Sequence, residues 1–181
     1  MRGLILAVCL TLSVGLMAQE KEGIDLAKRW SVGGNGQLFV EQVGDQTGRL
    51  IFILEPQAGY MLNRSWMVGL RTPLSFKSNE YGVAALPFVR YYIPVKGTII
   101  PFVEANGGYK LRVILDLDDG PNVYENSWVF GARAGSAFFL NDHASLDLFL
   151  YYTGESATFD GGSPLLKQFF GVGVGFEIFL D

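Results

Sequence analysis

The sequence predicts an all-β chain, an eight-stranded antiparallel up-and-down transmembrane β-barrel preceded by a signal peptide. Three observations carry that prediction. Long stretches alternate apolar and polar residues with period two, the mark of strands that show different faces to different surroundings. Glycine, 23 of 181 residues, concentrates on the polar parity of those stretches. Beyond the N-terminus no apolar run approaches the roughly 20 residues of a spanning helix, so a membrane-embedded chain would have to cross as strands.

The first element is the address. Arg2 supplies a positive n-region, 4–17 an apolar h-region, and Leu16-Met17-Ala18 precedes Gln19-Glu20. This pattern predicts Sec export with cleavage after Ala18. The organisation expected is therefore 1–18 signal peptide, 19–28 short periplasmic segment and 29–181 barrel. Cys9 lies inside the h-region, with too little hydrophobic sequence ahead of it for a lipid-modified N-terminus, and would leave with the signal. Loss of Arg2 takes the formal charge from −4 to −5.

Eight alternating segments follow, near 29–42, 50–61, 66–77, 81–93, 99–115, 124–140, 144–153 and 165–180. Between them, 62–65, 94–98 and 141–143 read as tight turns rich in Asn, Pro, Gly and Asp. The connections 43–49, 116–123 and 154–164 are longer and polar, and 78–80 is short. Pro56 and Pro73 fall inside segments, where a missing N–H interrupts a ladder.

The distribution of residues between the two faces sets the kind of barrel. Asn35, Gln37, Glu55, Gln57, Arg71, Arg90, Glu104, Asn106, Lys110, Arg112, Arg133, Asp147 and Glu177 share the polar parity with the glycines. Leu38, Leu54, Val68, Leu70, Val89, Tyr91, Leu148, Leu150, Val174 and Ile178 share the other. A soluble barrel has no reason to place glycine on its wet face, whereas a narrow polar lumen needs small residues beside its charged ones. Trp30, Tyr60, Trp66, Tyr91, Trp128 and Tyr152 sit towards strand ends on the apolar parity, where interfacial girdles belong.

Several stretches also resemble the small outer-membrane β-barrel family common in Bacteroidota. Pro87-Phe88-Val89-Arg90-Tyr91-Tyr92, Pro101-Phe102-Val103-Glu104 and Gly107-Gly108-Tyr109 are similar to its central hairpin. Pro56-Gln57-Ala58-Gly59-Tyr60-Met61 and Gly69 are similar to its second and third strands. The closing run with Gly173, Phe176, Ile178 and Phe179 resembles the C-terminal signal read by the barrel-assembly machinery, although Leu180 and Asp181 follow the aromatic residue. The resemblance implies a barrel with both termini periplasmic, and it implies no catalytic residues.

Chemistry-bearing residues are few. One His and one Cys cannot build a zinc cluster or an internal disulfide, and an acidic chain lacks the basic face of a nucleic-acid binder. His143 lies in a tight turn. The glycines at 33, 34 and 36 and at 171, 173 and 175 open no helix, so they form no phosphate loop. Asp116, Asp118 and Asp119 read as a solvated loop rather than a calcium site. The remaining candidates are Glu55, Arg71, Arg90, Glu104, Lys110, Arg112, Arg133, Asp147 and Glu177, read as a structural ion-pair network of the lumen, with Arg90 and Glu104 placed to pair across a hairpin. Phe39, Phe88, Phe102, Phe139 and Phe149 share their parity and would help fill the lumen.

The expected protein is a monomeric, non-enzymatic barrel in the outer membrane of a Gram-negative bacterium, with no cofactor or metal. Its expected partners are outer-membrane lipid, the assembly machinery with periplasmic chaperones, and surface ligands met by the loops. A narrow pore for ions or small apolar solutes, an outer-leaflet lipid-modifying enzyme and a secreted soluble ligand-binding barrel are the alternatives.

Overall fold

The computed structural model describes residues 24–41, 49–77, 80–114, 123–158 and 165–181. They form β1 (Trp30–Glu41), β2 (Arg49–Met61), β3 (Trp66–Arg71), β4 (Leu74–Lys77), β5 (Glu80–Tyr92), β6 (Ile99–Ile114), β7 (Val123–Asn141), β8 (Ala144–Thr158) and β9 (Leu165–Leu180). Neighbouring strands pair antiparallel, β3 and β4 each lying between β2 and β5, and β1 pairs with both β2 and β9, so the sheet closes on itself. β3 and β4 are two halves of one barrel strand. The register against β2 runs through the break, from Leu54↔Leu74 to Gln57↔Arg71. The barrel is thus eight-stranded and up-and-down, as the alternation predicts. The expected signal peptide, Gln37 and Phe39 as side chains, and the Asp116–Asp119 loop lie outside what is described.

Two segment expectations are corrected. The third strand, read as unbroken over 66–77, is interrupted at Thr72 and Pro73. The stretch 154–158, read as the start of a long connection, instead continues β8 to Thr158.

The prolines explain the interruption. Thr72 N–H donates to the Pro56 carbonyl at 2.9 Å, and Ala84 N–H to the Pro73 carbonyl at 3.1 Å. Each proline therefore keeps its acceptor in the ladder and omits a single donor. Pro56 omits its bond towards β3–β4, and Pro73 towards β5. The losses fall on different seams, and the barrel register survives both.

Apolar side chains point out and polar ones in. Val103, Leu111, Leu148, Leu150, Val172 and Val174 are exposed on the outer wall, while Asn35, Glu55, Gln57, Arg71, Arg90, Glu104, Arg133, Asp147 and Glu177 are buried. Outer aromatics pair across strands: Trp30 with Tyr60 at 5.1 Å and Trp66 with Tyr91 at 4.8 Å near the tight turns, Tyr109 with Trp128 at 5.4 Å towards the long connections. We refer to these two ends as the turn side and the loop side.

Inside, the glycines have a specific use. Gly69 lies directly across from Phe88, Gly173 from Phe149 and Gly171 from Tyr151. In each pair the aromatic ring lies over the glycine, where a Cβ would collide with it. A ring folded over a cross-strand glycine fills the lumen without widening it.

The packed interior is layered; β7 carries the whole order, and β5 and β6 each carry part of it. From the turn side, β5 presents Tyr92, Arg90, Leu86 and Ala84; β6 presents Phe102, Glu104, Lys110 and Arg112; β7 presents Phe139, Arg133, Val129 and Glu125. An apolar layer with Met61, Met67, Ile100 and Phe179 is followed by a charged layer. A thin apolar rung of Ala84, Leu86 and Val129 comes next, and then a second charged group.

Substituting Gly173→Val should force Phe149 from its place. The expected cost is about 1–3 kcal/mol, the usual range for overpacking a filled interior. Urea unfolding of detergent-refolded protein checks it, and Val174→Ile on the outer face should leave the midpoint unchanged.

Candidate functional site

The charged layer is built around one guanidinium. Arg90, on β5, donates through Nε to Glu104 Oε2 at 3.0 Å, and through Nη1 to Asp147 Oδ2 at 2.8 Å, Glu177 Oε1 at 2.7 Å and the Tyr92 hydroxyl at 3.0 Å. β5 lies on the opposite side of the barrel from β9, which carries Glu177, so this contact spans the lumen. The expected Arg90–Glu104 hairpin pair forms in direct cross-strand register. Its carboxylate is the second hub. Glu104 also accepts from Arg71 Nη2 at 2.7 Å and lies 3.6 Å from Arg133 Nε.

The periphery completes the network. Arg71 reaches Gln57 Oε1 at 3.2 Å, and Arg133 on β7 donates to Glu55 on β2, a second contact across the lumen. Glu177 accepts from Ser31 and Gln57 as well, and Ser145 donates to Asp147. The flat faces of the guanidinium groups lie on rings, Arg90 over Phe102 at 4.3 Å, Arg133 over Phe149 at 4.7 Å and Arg71 over Phe88 at 5.0 Å. Charges this deep are tolerated because each has several charged or hydrogen-bonding partners.

The nine candidates of the sequence do not form one network. Glu55, Arg71, Arg90, Glu104, Arg133, Asp147 and Glu177 meet in the middle layer. Lys110 and Arg112 instead belong to a separate group at the loop-side mouth. There Lys110 Nζ lies 3.0 Å from Glu155 Oε2, and Arg112 bridges Glu155 at 3.0 Å and Glu125 at 3.1 Å. Lys167 Nζ is 3.8 Å from Glu125 Oε1. Sequence reasoning missed Glu125, Glu155, Lys167 and Tyr92 as members. Glu155 continues the inward parity of Asp147, Phe149 and Tyr151, and extending that parity into the assumed loop would have found it.

The turn-side end is closed by the N-terminal segment. Leu26 is buried in the apolar layer. Lys28 adopts φ 63°, an uncommon conformation for a side-chain-bearing residue, and its N–H donates to the Met61 carbonyl at 3.0 Å. Arg29 pairs with Asp181 at 2.9 Å and donates to the Asp142 carbonyl at 2.6 Å. The Ala27 backbone N–H and then the Arg64 guanidinium hold the exposed Asp25 carboxyl below its usual range. His143 lies at this end with Nε2 3.4 Å from Asp181 Oδ2. Of the closing run, Phe176 and Ile178 face outward, whereas Phe179 points inward and stacks on Phe139 with centroids 5.5 Å apart. Leu180 takes the outward position beside it.

Comparison with known proteins places the architecture. The chain is similar to the N-terminal β-barrel domain of Pseudomonas aeruginosa OprF, with TM-score 0.60 and 14% identity over 85% of this chain and 98% of that one. Neisserial surface protein A (NspA) gives TM-score 0.59 and 14% identity over 83% of this chain and 96% of that one. The outer membrane protein OprG from Pseudomonas aeruginosa gives TM-score 0.51 and 15% identity over 87% and 98%. The fold is that of small outer-membrane β-barrels. No family model and no curated protein sequence matches the chain.

Replacing Arg90 by Met leaves Glu104, Asp147 and Glu177 around an absent cation. A loss of about 3–5 kcal/mol is expected, the usual consequence of unpairing a buried charge. Urea midpoints in detergent measure it. Arg64→Met, whose pair with Asp25 is exposed and screened by water, should leave the midpoint almost unchanged.

Proposed function

We propose that the chain is an integral outer-membrane barrel of a Gram-negative bacterium, of the Bacteroidota type that its sequence resembles. It is exported by the Sec route and folded by the barrel-assembly machinery with periplasmic chaperones. The single observation that carries this reading is the inversion of faces: buried ion pairs cross the lumen, while the outer wall carries Leu, Val, Ile and Phe. In water such a wall would leave a large contiguous apolar surface uncovered. In lipid it is the required exterior, and a closed barrel leaves few strand edges.

The protein acts as a non-enzymatic, monomeric scaffold whose loop-side connections contact surface ligands in a structural or adhesive role. Three features support a sealed lumen over a pore. Arg90 and Arg133 bond across it, Phe102 and Phe149 pack against them, and Leu26 closes the turn side. The one histidine is at the turn-side end, away from the outer leaflet, which disfavours an outer-leaflet lipid enzyme.

Refolded into detergent, the protein should run at different mobilities on SDS gels boiled and unboiled, and show a strand-type far-UV dichroism spectrum. In planar bilayers it should give no steady single-channel openings. Folding without detergent and without a mobility shift would overturn the membrane reading. Steady openings would overturn the sealed lumen and establish the pore. An altered acyl pattern of lipid A in cells that express it would overturn the non-enzymatic reading.

A further inference from the structure

The middle layer distributes its cations unevenly. Glu55 lies 3.7 Å from Arg71 Nε and pairs with Arg133, and Glu104 meets Arg71, Arg90 and Arg133. Asp147 and Glu177, among the described residues, meet one guanidinium between them, and they meet it at the same atom. Arg90 Nη1 lies 2.8 Å from Asp147 Oδ2 and 2.7 Å from Glu177 Oε1. That nitrogen carries two hydrogens, and the Tyr92 hydroxyl at 3.0 Å is a third oxygen within their reach. Both carboxyl side chains are fully buried. Two carboxylates that share one small site and one cation repel each other, and a buried pair of that kind keeps one proton.

The hydrogen bonds identify which member keeps it. Glu177 is well supplied with donors. Gln57 Nε2 donates to the oxygen that Arg90 reaches, while Ser31 at 3.2 Å and the Tyr92 hydroxyl at 3.3 Å donate to the other. Asp147 has the contested Arg90 contact and a single hydroxyl, Ser145 at 3.2 Å.

Beside Asp147 is an acceptor without a donor. Among the described residues, Asn35 Oδ1 is buried with no hydrogen-bond partner. Turning the amide over does not relieve it. Asn35 Nδ2 donates to Gln57 Oε1 at 3.0 Å, and Arg71 fixes that oxygen as an acceptor by donating to it through Nε and Nη2. Asp147 on β8 and Asn35 on β1 are both in register with Gly175 on β9. A Cβ at Gly175 would collide with the Asn35 amide oxygen and lie 3.4 Å from Asp147 Cβ, so the two side chains approach each other over this glycine. A hydrogen on Asp147 has an unused acceptor there, whereas a charged Asp147 adds a second undersupplied oxygen to the first.

We propose that the middle layer is a binding site for a single proton, held by Asp147 beside the ionised Glu177 and directed to Asn35 Oδ1. The other titratable and charged groups facing this pair are Arg90 and Tyr92 from β5 and Glu104 from β6, with Glu55, Arg71 and Arg133 beyond them. Among the described residues of the layer, three guanidiniums then stand against three carboxylates. Asn35 and Glu177 belong to the two strands that close the barrel, so the site exists only once that seam has formed. It is independent of the membrane reading, since every group that builds it points inward.

Infrared spectroscopy of the full barrel, in an ester-free detergent at neutral pH, reads the proton directly. The wild type should show the carbonyl stretch of a protonated carboxyl, shifted in heavy water, and Asp147→Asn should lose it. Glu177→Gln should lose it as well, because Asp147 then takes the charge that faces Arg90. Asparagine reproduces a protonated aspartate, with an acceptor and a donor on one planar group. Asp147→Asn should therefore keep the heat-dependent gel shift and the urea midpoint of the wild type, whereas Glu104→Gln, which removes a charge shared by three guanidiniums, should lower that midpoint.

No such band in the wild type, or one that survives either variant, overturns the proposal. So does an Asp147→Asn chain that loses the gel shift or whose midpoint falls as far as that of Glu104→Gln. The wild-type spectrum decides the matter even where a variant fails to fold.

Discussion

The constraint on which the rest of this structure depends is the width of an eight-stranded lumen, which holds little beyond its own side chains. Charges that point into such a space cannot keep their water, so each must find partners on strands across from it. That requirement selects the residues. Every cation of the middle layer is arginine: Arg71, Arg90 and Arg133. A guanidinium offers donors in several directions and a flat face to rest on a ring, and it is more weakly hydrated than an ammonium. Among the described residues, lysine inside the barrel stands at the mouth, as Lys110 and Lys167, where its head stays partly exposed.

The same narrowness accounts for the glycines and the aromatic rings together. Phe88 and Phe149 support guanidinium groups, and each also lies over a glycine on the neighbouring strand. A side chain in place of Gly69 or Gly173 would displace the ring and, through it, the charge it carries. Register is fixed by the same means. A one-residue slip turns every inward side chain outward, and here that would bring Arg90 or Glu177 to the apolar wall. The wall tolerates missing ladder bonds at Pro56 and Pro73 because alternation and cross-lumen pairing hold the strands in register around them.

Much of this was legible in the sequence because a β-strand has an exact period. Parity alone assigned the inward residues of the middle layer and predicted the Arg90–Glu104 pair, since hairpin partners are near in sequence. Pairing across the lumen was not legible. Arg90 with Glu177 and Arg133 with Glu55 depend on how strands stagger around the closed barrel, which no local pattern encodes. The division into two charged groups was hidden for the same reason, because Leu86 and Val129 separate them only once β5 and β7 are aligned through β6. Glu155 was lost differently. Its neighbours Gly154 and Ser156 have turn-like composition, and composition prevailed over a parity that in fact continued. Tyr92 reads as apolar filling by residue type, yet its hydroxyl joins the network at its centre.

The two ends of the barrel are finished by opposite means, and each suits what the end must do. On the turn side the chain closes the interior with apolar groups: Leu26 enters among Met61, Met67 and Phe179, and Arg29 ties the start of β1 to Asp181 just beyond β9. That arrangement fastens the seam where β1 and β9 are paired and packs apolar side chains across that end. On the loop side, among the described residues, the same two strands are not paired, and the last inward groups are ion pairs rather than apolar side chains. The buried middle layer stands between the two ends: its carboxylates hold the arginines, and the arginines bridge the lumen from one side of the barrel to the other.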